Sequence, residues 1–198
     1  MKRILVYGDS NTWGSGSNNL RYSYENQWCN ILSSSLGKDY QVIQNGLPGR
    51  IAGDHNLREP VKNGRFAFEI AIRHAYPFEI LIIALGTNDI KLKFNTPAKQ
   101  IIEDLEWIEQ KALEFAANSI NFSNSPDVIY LGIANFNKEK RTDLDFQKAG
   151  QINEYLEEYK NFVNLVYLEH IDDGVHYSKN DHKTVAKQVY EKLKELKL

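Results

Sequence analysis

One cysteine, Cys29, stands among 198 residues. No internal disulfide is therefore possible, and a reducing compartment suits the chain. Long apolar runs are missing too: none approaches the roughly 18 residues of a membrane span. The apolar stretch near the N-terminus stops at Gly8-Asp9, short of the h-region of a secretory signal. Cytoplasmic residence without a membrane span is the expectation. Excess charge of either sign is absent, with 24 Lys and Arg against 26 Asp and Glu and a net charge of −2. No strong positive field exists to gather nucleic acid or anionic lipid. There is no internal repeat and no low-complexity tract. There is also no Gly-x-Ser-x-Gly elbow, no Gly-x-x-x-x-Gly-Lys phosphate loop and no Gly-x-Gly-x-x-Gly fingerprint, which argues against nucleotide-driven and nicotinamide chemistry.

What remains is ordinary globular composition, 42% hydrophobic and 25% charged. The length suggests one domain over residues 1–198, large enough to need no disulfide or metal staple. Short, near-continuously apolar runs at 3–7, 40–44, 79–85, 127–133 and 161–168 read as strands buried on both faces of a parallel sheet. Helical stripes lie between them. Tyr24, Trp28, Ile31, Leu32 and Leu36 form one, closed by Gly37. Ile101, Leu105, Ile108, Ala112 and Phe115 form another, entered through Thr96 as N-cap and Pro97 as first helical residue. Ile152, Leu156 and Tyr159 mark a third. Val185, Val189, Leu193 and Leu196 mark the last, with Ser178 as N-cap and Asp181 three residues on. A weaker stripe over 61–75 runs through Phe66 and Ile70. This alternation predicts an α/β fold: a flavodoxin-like three-layer α/β/α sandwich on a five-stranded parallel sheet, order 2-1-3-4-5. Active sites in such sheets lie beyond the carboxyl ends of the strands, near the switch point between strands 1 and 3.

Polar, Gly-rich sequence follows four of the five strands. Strand 1 runs into Gly8-Asp9-Ser10-Asn11-Thr12-Trp13-Gly14, strand 2 into Asn45-Gly46-Leu47-Pro48-Gly49-Arg50, and strand 3 into Gly86-Thr87-Asn88-Asp89. Strand 5 leads to Asp172-Asp173-Gly174-Val175-His176. Acyl transfer needs this set of residue types. A serine hydroxyl is a weak nucleophile until a base sits beside it, and His176 can supply one. A carboxylate then holds the imidazole in its tautomer, and Asp173 stands three residues away on a Gly-containing turn. The oxyanion needs preorganised donors: the N–H groups of Ser10 and Gly49 and the side-chain amide of Asn88 are the candidates.

These blocks resemble those of the SGNH hydrolases, also called the GDSL esterase superfamily. The resemblance covers all four hallmark blocks in order, from residue 8 to residue 176, and the string Gly8–Gly14 is similar to the arylesterase and acyltransferase branch. It implies a flavodoxin-like fold, a triad of Ser10, His176 and Asp173, and an oxyanion hole from Ser10, Gly49 and Asn88. It implies no cofactor and no metal. Its register favours Asp173 over Asp172 as the triad acid. Pro48 stands where the second block often carries a small residue such as Ser. The donor there is the N–H of Gly49, which Pro48 does not remove. Asp9 and Asp89 read as carboxylates that brace their turns. Trp13 reads equally as a pocket wall or as packing of the first helix, and Arg50 as a substrate contact or the partner of an acid. Cys29 reads as a buried inert thiol, and His55, His74, His170 and His182 receive no role.

The function these readings imply is a serine carboxylester hydrolase for small or short-acyl esters, with acyl transfer to an alcohol as an accompanying activity. Its partner is a small-molecule ester, with homo-oligomerisation open. A carbohydrate O-deacetylase of the same mechanism is the alternative. A metal-dependent hydrolase built on His170, Asp172, Asp173 and His176 with Asp9 and Asp89 ranks below, for want of an established ligand spacing. A non-catalytic binding module would lack a triad or oxyanion residue, and none is lacking. Insertions at 15–26, 55–65, 91–95 and 135–145 are expected to shape the pocket.

Overall fold

The computed structural model describes residues 1–120, 124–165 and 168–198, apart from the side chains of Asn19 and Tyr159. Five parallel strands, β1 (Lys2–Gly8), β2 (Tyr40–Gly46), β3 (Ile80–Ala84), β4 (Asp127–Leu131) and β5 (Phe162–Val163), form one sheet in the order β2-β1-β3-β4-β5. That is the expected order. Ile4, Leu5, Val6 and Tyr7 of the interior strand β1 are fully buried, which explains why the run carries no polar alternation. Helix α2 (Trp28–Leu36) packs with α6 (Lys179–Glu195), while α3 (Gly64–Ala75), α4 (Ala98–Ala117) and α5 (Phe146–Tyr159) pack in succession. Right-handed crossovers from this strand order put those two groups on opposite faces.

The register fixes the site. Gly8 lies opposite Gly46 on one side and Ala84 on the other, so β1, β2 and β3 end at one level and their loops rise from one edge. Directly after β1 comes α1 (Ser10–Trp13), a single helical turn capped by Asp9 and closed by Gly14 in the left-handed region. This turn lies so close to β2 that a Cβ on Gly46 would fall 2.2 Å from the backbone nitrogen of Trp13. Glycine is required there by contact with backbone, not by φ.

Several boundaries differ from expectation, each for a local reason. Tyr24 belongs to a separate short turn, Tyr24–Asn26, because Gln27 is extended (φ −96°, ψ 132°) and α2 begins after it. Pro97, not Thr96, is the N-cap of α4, again through an extended ψ of 149°, and no side chain caps that end. On α3 the buried face is Phe68, Ala71, Ile72 and Ala75, whereas Phe66 and Ile70 are exposed. Both stripes have helical spacing, and packing selects the other one. The fourth strand stops at Leu131 because the Asn153 side chain takes over both backbone groups of Ile133, at 2.8 Å each. Of the strand expected over 161–168 only Phe162–Val163 pairs, and Val166 and Tyr167 lie outside the described residues. Ser178 and Asp181 form the expected capping box of α6.

Candidate active site

Ser10 is the first residue of α1, a position whose N–H has no intrahelical partner. The Asp9 carboxylate accepts the N–H of Asn11 at 2.9 Å and so fixes the turn that presents the Ser10 hydroxyl. The other half of the site comes from the loop before α6. There Asp173 Oδ1 accepts the N–H groups of Val175 and His176, both at 2.9 Å, while Oδ2 lies 2.6 Å from His176 Nδ1. His176 Nε2 lies 3.0 Å from Ser10 Oγ. A continuous chain Asp173–His176–Ser10 results, its last link joining residues 166 apart in sequence. Partial burial pulls the Asp173 pKa upward. The backbone N–H groups of His176 and Val175 and the imidazole outweigh that and hold it below the usual carboxylate value. Asp172, the other acid in reach by sequence, points into solvent toward Lys140 at 3.9 Å.

The remaining predicted residues fall on the same edge. Leu47-Pro48-Gly49-Arg50 is a turn with the Arg50 N–H bonded to the Leu47 carbonyl at 3.1 Å and Gly49 at φ +80°. Proline at the first central position and a positive φ at the second is the type II arrangement. Pro48 therefore presets the turn that Gly49 needs. Asn88, buried, donates from Nδ2 to the Arg50 carbonyl at 3.1 Å and faces Asp9 Oδ2 at 3.5 Å. The second contact is long for a hydrogen bond, so one amide hydrogen is only weakly engaged. Among the described residues no carboxylate forms an ion pair with Arg50. Its guanidinium donates to the Gly8 carbonyl and to both oxygens of Asn45 at 2.7–3.0 Å, and stacks over Tyr7 at 4.1 Å. Buried at 5% exposure, it holds the ends of β1 and β2 together from behind. Trp13 is half-buried, stands outside the hydrophobic core and carries the Arg21 guanidinium 5.1 Å above its ring.

Asp89 accepts the Ala52 N–H at 2.8 Å through one oxygen, and its other oxygen is buried without a partner. Burial, reinforced by the nearby Asp104, pushes its pKa up to about 7. Burial raises Asp9 as well, against the pull of its backbone hydrogen bond and the surrounding cations. The histidines left without a role do structural work or none. His182, fully buried, accepts the Trp28 N–H at 3.2 Å and is pushed down to about 4 by burial. His170 packs against Phe136 and Tyr177. Cys29 is fully buried, and burial pushes its thiol pKa up. The group of His170, Asp172, Asp173 and His176 does not converge. Among the described residues no three His, Cys, Asp or Glu side chains lie close enough to hold a metal ion.

Two residues escaped sequence reading. Asn11, buried behind the turn, donates from Nδ2 to the Val175 carbonyl at 3.2 Å and accepts the Tyr177 N–H at 3.1 Å, on either side of His176. Lys91 donates from Nζ to Asn88 Oδ1 at 2.7 Å. Asn11 sits inside the first block, but its partners lie 164 and 166 residues away. Lys91 lies two residues beyond the third block and meets Asn88 three residues back, a contact set by side-chain orientation that no motif marks. A cavity of about 10 Å³ lies behind Asp9, Asn11 and Tyr177. It has room for a water and none for an acyl chain.

A profile of the GDSL-like lipase/acylhydrolase family matches residues 6–186. Among solved structures, the inhibitor-bound aryl esterase of M. smegmatis superposes with a TM-score of 0.85 at 23% identity, covering 99% of this chain and 100% of that one. A carbohydrate acetylesterase from Sinorhizobium meliloti gives the same TM-score, identity and coverage. At this identity the likeness establishes the fold. A curated relative, the uncharacterized lipoprotein YqeF of Bacillus subtilis, is 30% identical over 86 residues, 43% of this chain. The match spans 31% of that relative's length. No helix among the described residues is long and apolar enough to cross a membrane.

Two outcomes are expected. Asn11→Asp keeps the acceptor for the Tyr177 N–H but removes the donor to the Val175 carbonyl. It should cost about 1–3 kcal/mol of stability, read as a lower urea midpoint, and should lower kcat by displacing His176. Asp89→Asn addresses pH. Because the folded-state pKa of about 7 exceeds the unfolded value, Asp89 favours the fold below roughly pH 4, and that contribution is lost as pH rises toward 7. Unfolding free energy measured across this window should therefore fall less steeply for Asp89→Asn than for the unsubstituted protein. An identical slope would place the proton elsewhere.

Proposed function

The chain belongs to the GDSL-like lipase/acylhydrolase family, and on that premise we propose that it is a serine carboxylester hydrolase for small, short-acyl esters. The observation that carries the reading is the chain of contacts from Asp173 through His176 to Ser10, 2.6 and 3.0 Å long. Ser10 Oγ attacks the ester carbonyl as His176 Nε2 takes its proton. The N–H groups of Ser10 and Gly49 and the weakly engaged amide hydrogen of Asn88 receive the oxyanion. His176 returns the proton to the leaving alcohol, and Asp173, held ionised, stabilises the imidazolium meanwhile. Water then attacks the acyl-enzyme with His176 as base. An alcohol in place of water gives acyl transfer by the same steps. No step calls for a metal or an organic cofactor.

The short-acyl preference rests on the likeness of the Gly8–Gly14 block to the arylesterase and acyltransferase branch. Both superposing esterases named above bear on the substrate. One is named for aryl esters and the other for carbohydrate acetates, and ester hydrolysis is what the two names share. The proposal also takes residues 1–198 as a single catalytic unit residing in the cytoplasm.

A fluorophosphonate probe should label Ser10, and Ser10→Ala should lose both label and ester turnover. Full activity in Ser10→Ala overturns the serine mechanism. On a panel of p-nitrophenyl esters, acetate to butyrate should be turned over faster than long-chain esters. Acetylated sugars on the same panel divide the aryl-ester reading from the deacetylase reading. A preference for long acyl chains overturns the short-acyl reading.

A further inference from the structure

We propose that Lys91 is a positioning residue for the oxyanion-binding amide of Asn88. It fixes which end of that amide faces the substrate and strengthens the hydrogen bond the amide donates. The inference rests on the reading of Asn88 as an oxyanion donor given above.

The two ends of a carboxamide have nearly the same shape, so only their partners decide which way it points. Lys91 Nζ lies 2.7 Å from Asn88 Oδ1. An ammonium donates and never accepts, so the oxygen must face it. The Arg50 carbonyl, which only accepts, takes one hydrogen of Nδ2 at 3.1 Å. Both ends of the amide are thereby assigned, and the second hydrogen is left on the side of Asp9, whose Oδ2 lies 3.5 Å away. A flipped amide would put its NH₂ against the ammonium and its oxygen against the Arg50 carbonyl. It would also present an acceptor to a developing oxyanion.

Charge adds a second effect. A hydrogen bond from a cation to Oδ1 draws electron density through the amide and makes the remaining N–H a stronger donor. That gain is realised as negative charge develops on the oxyanion.

The position of Lys91 is enforced against its own electrostatics. Burial is the main cause that lowers its pKa, and the like charges of Arg58, Arg141 and Lys93 lower it further. Asp143 opposes them, but its carboxylate is taken up by Arg141 through two bonds of 2.8 Å. The segment is held in place by backbone. The Leu92 N–H donates to the Asp143 carbonyl and the Asp145 N–H to the Ile90 carbonyl, both at 2.9 Å. Ile90 is fully buried. An ammonium seated at such a cost, with the Asn88 oxygen as its hydrogen-bond partner, is explained by what that bond does to Asn88.

The test uses phenyl acetate as substrate and measures kcat, KM and the thermal midpoint for Lys91→Met, Lys91→Gln, Lys91→Arg, Asn88→Ala and the double variant. Lys91→Met should lower kcat at least about tenfold, bounded by the roughly 10²–10³-fold cost of losing one oxyanion donor. KM should change little, because the interaction is made in the transition state. Lys91→Arg should restore most of the rate. Lys91→Gln, a donor without charge, should fall between and carries the same comparison if the Met variant does not fold. In the Asn88→Ala background, Lys91→Met or Lys91→Gln should have no further effect on kcat. Equal losses with and without Asn88, or a lowered midpoint with unchanged kcat, overturn the proposal. If Asn88→Ala itself leaves kcat intact while Ser10→Ala abolishes it, the donor reading of Asn88 fails and takes this inference with it. If Asn88→Ala is slow and Lys91→Met is not, only the inference fails.

Discussion

Two hydrogen bonds from the side chain of Asn11 hold the halves of the site together. Ser10 opens the helical turn after β1, whereas His176 follows the edge strand β5, and β3 and β4 lie between those two strands. The loop that carries Asp173 and His176 must therefore reach back across the strand ends and be tied down there. Asn11 does this on both flanks of His176, through the Val175 carbonyl and the Tyr177 N–H. Asp181 secures the loop at its other side by accepting the N–H groups of Glu169, His170 and Ser178 at 2.8–2.9 Å. The 3.0 Å contact between His176 Nε2 and Ser10 Oγ depends on both anchors, since a displacement of an ångström would break it.

The carboxylates divide by environment. Asp9 and Asp89 are buried under the strand-end turns, accept backbone N–H groups, and are pushed toward the protonated form. Asp173, with 42% of its side chain exposed, is pulled the other way. Two acids thus brace the turns while the third stays charged next to the imidazole, an assignment made by burial and not by residue type. Arg50 follows the same logic with opposite sign. Burial lowers its pKa, but three acceptors and the Tyr7 ring compensate for lost water. The carbonyls it meets lie at the ends of β1 and β2, where the Gly8 carbonyl also accepts the Leu47 N–H at 3.1 Å, so Arg50 joins the two strand ends through a second bond.

The fold was legible because its strands are buried on both faces and its helices are amphipathic, so periodicity alone separates them. It failed where two periodic stripes overlapped, as on α3, or where a distant side chain ended a strand, as Asn153 does at Ile133. Ser10, Asn88, Asp173 and His176 were legible because each sits in a Gly-containing turn at a strand's end. Their supports were not. Asn11 makes two contacts with residues 164 and 166 positions away. Lys91 reaches Asn88 three residues back through an orientation that spacing does not encode, and Arg50 is bound mostly to carbonyl oxygens that every residue possesses. These supports depend on side-chain orientation and on backbone partners, so a linear reading misses them.

The insertion over 135–145 shows what this means for specificity. Its backbone touches both halves of the site. The Asn137 N–H donates to the Gly174 carbonyl, in the loop of Asp173 and His176, at 3.2 Å, and residues 143–145 pair with Ile90 and Leu92 beside Asn88. A segment expected to shape the pocket therefore also connects the loop of the base to the segment of Lys91. Its positions are not equivalent. Asn137 caps its own turn by accepting the N–H groups of Glu139 and Lys140, and Leu144 is buried, so changes there disturb the site as well as the pocket. Lys138 and Glu139 are exposed and lie between those anchors, so substitutions there leave the connection intact. The loop is free to vary where it leaves its two attachments, and constrained where it meets Gly174 and the segment beside Asn88.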